Sequence, residues 1–182
     1  MKERAAADPI GDVLWRMAPG PKDVQDVRDL VTRTGAFSDT EVAIAAELVE
    51  ETLRCGAAAG YEFVFAERAG SLAGYACFGA IPATAASYDL YWIAVHPNES
   101  GRGLGAEILA RSEARIAAAG GQHVWVDTSS RRDYMPAHRL YHAAGYREAA
   151  RLDGFYGPDD AKIVFAKSLI GLTAADRSDP GE

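Results

Sequence analysis

The chain has 182 residues, 48% of them hydrophobic and 25% charged, with a formal charge of −7 and a pI near 5.1. That length and apolar content suit one globular domain with its own core. The acidic balance, with no Lys/Arg run longer than Arg131-Arg132, excludes a nucleic-acid protein held by a basic stripe, and no apolar run approaches the ~20 residues that span a bilayer.

In chain order, residues 1–11 and 173–182 lack periodicity and read as tails, leaving residues 12–172 as a single domain. The charged start, MKERAAADPIGD, has no signal-peptide apolar core, so a soluble cytoplasmic protein without a membrane partner is expected. Val13 to Met17 reads as a short strand, and Pro19-Gly20-Pro21 breaks the chain before a helix over Lys22 to Arg33 with Val24, Val27, Leu30 and Val31 on one face. Gly35 ends it. Ser38 with Glu41 forms a capping box for a second helix carrying Val42, Ala45, Leu48, Val49 and Leu53.

Tyr61 to Ala66 and Leu72 to Phe78 read as a hairpin around Gly70-Ser71, followed by a strand over Tyr88 to Val95. The next helix, Gly103 to Ala119, buries Leu104, Ile108, Leu109 and Ile116 and stops at Gly120-Gly121. His123 to Asp127 alternates as a strand, and Pro136 starts a last helix that runs to about Ala144. Tyr146 to Leu152 and Lys162 to Lys167 form a final strand pair around Gly157-Pro158-Asp159-Asp160. The order βααβββαβαββ gives a mixed α/β fold (α+β) whose sheet is mostly antiparallel. Cys55 and Cys77 read as ordinary reduced side chains.

The segment Asp89 to Gly105, DLYWIAVHPNESGRGLG, carries the strongest functional signal. Pro97 stops the strand because it has no N–H. Gly101, Gly103 and Gly105 then let backbone N–H groups crowd a ligand, and the following helix offers unpaired donors and a partial positive charge, which suits a diphosphate.

These residues resemble the GCN5-related N-acetyltransferases (GNAT). Ser100-Gly101-Arg102-Gly103-Leu104-Gly105 occupies the family's acyl-CoA frame, Gln/Arg-x-x-Gly-x-Gly/Ala, with Ser100 where Gln or Arg is usual. Ala137 to Tyr146, AHRLYHAAGY, is similar to the family's Ala-x-x-Leu-Tyr-x-x-x-Gly-Phe helix and turn; Tyr134 stands where the family commonly has a cofactor-contacting Asn. The resemblance covers roughly residues 11–172. It implies the GNAT acyl-CoA N-acyltransferase fold, acetyl-CoA as co-substrate without a metal, and a cofactor site built from Ile93, Ala94, Val95, Ser100, Gly101, Arg102, Gly103, Leu104, Gly105, Ala106 and Tyr134.

Acetyl transfer from a thioester to an amine needs a neutral nitrogen lone pair, a polarised carbonyl and a proton for the departing thiolate. The resemblance makes Tyr141 the general acid; its other reading is a packing aromatic on an amphipathic helix. It also assigns carbonyl polarisation to a backbone N–H near Ile93 to Val95. Asp89, which shares a strand face with Tyr91, is the candidate base, against a solvated strand-end carboxylate. Tyr91, Asp153 and Tyr156 are candidate acceptor contacts. The acidic Asp153, Asp159 and Asp160 favour a cationic small-molecule or peptide amine, although they also suit turns. Edge strands in this fold often pair between subunits, so a homodimer is a further expectation.

Two other functions compete. A non-catalytic acyl-CoA-binding module would account for Ser100 and Tyr134. An NAD(P)-binding protein would use Gly101 to Ala106 as G-x-G-x-x-A with Asp127 as the ribose acid; against it, a HisProAsnGluSer loop precedes the glycines and too little chain follows for a doubly wound sheet. His138 and His142 lie four apart but have no evident third metal ligand, so a surface pair is expected.

Overall fold

The computed structural model describes residues 10–170. The expected tails, apart from Ile10 and Gly11, lie outside the described residues. The sheet has seven strands in the order β1-β2-β3-β4-β5-β7-β6, antiparallel at β1–β2, β2–β3, β5–β7 and β6–β7 and parallel at β4–β5. The strands are β1 (Leu14–Arg16), β2 (Glu62–Arg68), β3 (Ser71–Ala80), β4 (Ser87–Val95), β5 (His123–Ser129), β6 (Arg147–Gly157) and β7 (Asp160–Ser168). The helices are α1 (Asp23–Thr34), α2 (Asp39–Cys55), α3 (Leu104–Ala118) and α4 (Met135–Ala143). Among the described residues no helix is long and apolar enough to cross a membrane.

The described residues divide into two compact units, one of residues 10–78 together with Trp92–Arg111, the other of Gly79–Tyr91 together with residues 112–170. In the first, the apolar stripes of α1 and α2 meet β2 and β3 in a core of Val27, Leu30, Val31, Val42, Ala45, Val49, Phe63, Phe65, Tyr75 and Cys77. Ser38 caps α2 as expected: its hydroxyl accepts the Glu41 N–H, and the Glu41 carboxylate accepts the Ser38 N–H at 2.8 Å. Leu53, expected on the buried stripe, is exposed because it lies in the last turn of α2. α1 begins at Asp23, one residue later than expected. Its buried carboxylate accepts from the Gly20 N–H at 2.6 Å and from the Arg16 guanidinium at 2.7 and 2.8 Å, which ties the Pro-Gly-Pro loop to β1.

Gly74 on β3 is a packing position that the sequence pattern hides. A Cβ there would sit 2.7 Å from Ile108 Cδ1 and 3.0 Å from the Ala94 carbonyl oxygen. α3 can therefore lie against β3 and the end of β4 only because this side chain is missing. Gly74→Ala is expected to lower stability by ~1–3 kcal/mol, the usual cost of overpacking, measured as a fall in the denaturant midpoint; an unchanged midpoint would show that Ile108 yields freely.

In the second unit, β7 turns Ala161, Ile163 and Phe165 inward against the aromatic rings of α4. Gly121 is equally confined, with a Cβ position 2.4 Å from Ile116 and 2.8 Å from the Tyr88 ring. The last helix is anchored by His138, expected on the surface but buried, with Nε2 3.0 Å from the Ser129 carbonyl and its ring 5.3 Å from Phe165. A four-residue spacing cannot tell which side chain of a helix meets the sheet, and here His138 and Tyr141 are buried while His142 is exposed as expected.

Candidate active site

In the first unit, β4 ends at Val95 and the His96 N–H donates to the Ala73 carbonyl at 2.8 Å. A short 3-10 turn over Pro97–Glu99 follows, closed by the Ser100 N–H on the Pro97 carbonyl. Glu99 anchors this turn through ion pairs to Arg68 at 3.0 Å and Arg102 at 3.5 Å. The chain then passes Gly101 (φ +75°) and Gly103 (φ +83°) into α3.

Those two backbone conformations disfavour any L side chain, and no atom lies within 4 Å of the Cβ position at either glycine. The glycines are therefore required by backbone conformation and open outward. Gly105 differs: it lies inside α3, so the loop proper has two glycines and the third belongs to the first helical turn. By helix geometry, the first N–H groups of α3, from Leu104 to Ala106, point out of the helix without intrahelical acceptors. An open, positive-φ loop running into a helix start fits a diphosphate-bearing ligand such as coenzyme A. Ala94 is buried, and Ile93 and Val95 are half-buried on the strand leading into this loop.

The G-x-G-x-x-A reading matches the letters of this segment and misses its surroundings. The 3-10 turn separates the strand end from the first glycine, and the sheet is antiparallel at four of its pairings. A doubly wound dinucleotide fold requires the reverse on both points.

In the second unit, Asp89 and Tyr91 lie on the face of β4 opposite the buried Leu90. The β4–β5 register covers Ser87↔His123 to Asp89↔Trp125. Asp89 is half-buried, and its carboxyl is pushed above the usual range, first by burial and then by the Asp127 carboxylate, while Lys162 opposes the shift. Lys162 is ion-paired with Asp127, and its ammonium lies 5.0 Å from the centre of the Phe155 ring. Tyr156 packs edge-on against Phe155, with ring centroids 4.9 Å apart, and both rings are exposed. Asp153 is largely exposed and accepts from Arg151 at 2.7 Å. The structure thus brings Asp89 and Tyr156 toward the same lysine and leaves Asp153 on its own strand with Arg151.

Tyr141 is buried on α4, with ring centroids 5.7 Å from Tyr146 and 5.4 Å from Phe165. Burial pushes its phenol above the usual tyrosine range. Tyr134 is also buried, and its ring lies under the Arg131 guanidinium at 5.2 Å. Asp160, read from sequence as a turn former or acceptor wall, is instead a clamp on the end of β5. It accepts from the Ser129 hydroxyl at 2.5 Å and the Ser130 N–H at 3.2 Å, and it pairs with Arg131 at 3.4 Å.

Residues 25–146 match the family model described as the acetyltransferase (GNAT) family. A crystal structure of a Desulfovibrio desulfuricans protein assigned to that family is similar, with 41% identity and a TM-score of 0.82 over 87% of this chain and 99% of that one. An aminoglycoside 6'-N-acetyltransferase complexed with coenzyme A shares the fold at 20% identity, with a TM-score of 0.65 over 85% and 97% of the two chains. The PaiA N-acetyltransferase from Thermoplasma acidophilum, in complex with coenzyme A, does so at 15% identity, with a TM-score of 0.69 over 86% and 99%. No curated protein matches the chain in sequence.

Proposed function

Because the chain belongs to the GNAT acetyltransferase family and is an acyltransferase, we propose that it transfers acetyl from acetyl-CoA to a primary amine by direct attack in a ternary complex. The observation that carries this reading is the open loop Gly101–Gly103 at the start of α3, with positive φ at both glycines and no atom near either Cβ position.

In this reading the backbone of Gly101 to Ala106 holds the diphosphate, with Ser100 and Arg102 beside it, and the main chain of Ile93, Ala94 and Val95 holds the acyl arm. The register of β4 with β5, Ser87↔His123 to Asp89↔Trp125, lies upstream of these three residues. Tyr134 lines the cofactor where the family has Asn. Acetyl-CoA, when bound, supplies an acetyl group activated as a thioester.

Asp89 takes the acceptor's proton, directly or through water, leaving the nitrogen lone pair free to form the new N–C bond. Tyr141 returns a proton to the sulfur as the C–S bond breaks, so the reaction releases free thiol. Tyr91, Asp153 and Tyr156 contact the acceptor. Asp89 and Asp127 against Lys162 leave this face acidic, which favours a small cationic amine or a peptide amine over a neutral one.

Thiol release from acetyl-CoA across an amine panel tests the proposal. Spermidine, aminoglycosides and basic peptides should drive release above the rate without acceptor, and neutral amino acids should not. Acetyl-CoA binding with no release for any amine would assign a non-catalytic acyl-CoA module instead; release with neutral amino acids alone would overturn the charge argument.

A further inference from the structure

Three strands of the second unit bring charged side chains onto one sheet face. Paired residues of neighbouring strands share a face, and residues two apart on one strand share it too. Asp89 pairs with Trp125, so Asp127, two residues further along β5, lies on the face that carries Asp89. On β7, Lys162 pairs with Ser129, again two residues from Asp127, and its ammonium is ion-paired with the Asp127 carboxylate. The Lys162 side chain is mostly covered, at 20% exposure, while Asp127 is half-exposed at 50%. The Phe155 ring covers the lysine from β6, where Leu152 is its register partner.

The ionisable groups facing Asp89 are Tyr91 on its own strand, Asp127 on β5 and Lys162 on β7; Tyr156 of β6 acts on the lysine. We infer that the Asp127–Lys162 ion pair, which lies on the sheet face that carries Asp89 and is held beside the Phe155 ring, tunes Asp89 as a base. The inference deepens the proposed function, because it rests on Asp89 as the base. Asp127 and Lys162 touch no reacting atom in this account; they are positioning residues that act through a neighbouring charge.

The physical reason for such a pair is the demand on the base. A carboxylate with an ordinary pKa is too weak to take a proton from an ammonium near neutral pH, and one raised too far is protonated when it is needed. A fixed pair of opposite charges can hold it between these limits. The two members also reinforce each other on removal. Without Asp127, Asp89 loses a repelling charge and faces an unmasked lysine. Without Lys162, it loses an attracting charge and faces an unmasked Asp127.

The test is the carboxyl titration of Asp89 by carbon NMR, beside the pH dependence of kcat/KM for the best acceptor. Asp127→Asn should move the Asp89 midpoint, and the acid limb of the rate profile, to lower pH; Lys162→Gln should move both to higher pH. Asp127→Glu and Lys162→Arg keep the charges and should restore wild-type midpoints, which a merely structural role would not produce. If Asp127→Asn and Lys162→Gln shift the Asp89 titration in the same direction, or leave it unmoved, the inference is overturned. The base assignment fails separately: Asp89→Asn should remove the acid limb and ~10²- to 10⁴-fold of kcat/KM. If that limb survives while the NMR shifts appear as expected, the coupling stands and Asp89 is not the base.

Discussion

Gly103→Asp is expected to abolish acetyl-CoA binding, measured by calorimetry, while the variant keeps its fold. Gly103 has φ +83°, where a side chain costs ~1–2 kcal/mol, and a tenfold loss of affinity corresponds to ~1.4 kcal/mol. Charge adds more. A carboxylate ~4 Å from one phosphate charge is repelled by ~4 kcal/mol at the effective dielectric of a protein surface. That repulsion alone predicts a loss beyond ~10²-fold, while the strain is paid in the free protein. Stability should fall only by the backbone strain, because no atom lies within 4 Å of the Cβ position. Gly103→Ala separates the two effects: it carries the strain without the charge, so it should lower stability by about as much and leave the affinity within a few-fold of wild type. Wild-type affinity in Gly103→Asp would show that the diphosphate lies elsewhere, and with it the loop reading of the site would fall.

The elements that were legible in the sequence are those whose signals are local. The Ser38–Glu41 capping box and the helix end at Gly35 each depend on residues within one turn of the chain, and each forms; the hairpin expected around Gly70-Ser71 also forms, with its turn one residue earlier at Ala69-Gly70, both at positive φ, and Ser71 already in β3. The glycine loop was legible for the same reason, since its chemistry is backbone conformation over six residues. What stayed hidden is set by register between strands far apart in sequence. Nothing near Asp89 marks Asp127 or Lys162 as its neighbours, because parallel pairing with β5 and the β5–β7 register decide it. Gly74 is similar: a glycine in an apolar run reads as a weak strand position, and only α3 arriving against it makes the missing Cβ a requirement. His138 reads from sequence as a surface residue, because polar residues are usually exposed, and Asp160 reads as a turn former or acceptor wall. Both are instead buried or largely covered partners of the chain segment that ends β5.

The second large effect concerns Tyr141. Tyr141→Phe should lower kcat by ~10² to 10⁴, the usual worth of a positioned general acid, and leave the acetyl-CoA dissociation constant unchanged. Phenylalanine keeps the ring contacts to Tyr146 and Phe165, so packing and stability change little and the hydroxyl alone is removed. The pKa direction makes the expectation sharper. A free phenol near 10 facing a thiol near 8.5 is already ~2 kcal/mol uphill as a proton donor, and burial raises the phenol further. As the proposed acid, Tyr141 would therefore not protonate a resting thiolate outright; its proton would move as negative charge builds on the sulfur during C–S cleavage. The same shift keeps the phenol protonated beyond its usual range. Any loss of rate below pH 10 on the alkaline side then arises from another group, and it should persist in Tyr141→Phe on top of the lower kcat. A wild-type kcat in Tyr141→Phe would reduce this residue to a packing aromatic and require the thiolate to take its proton from solvent.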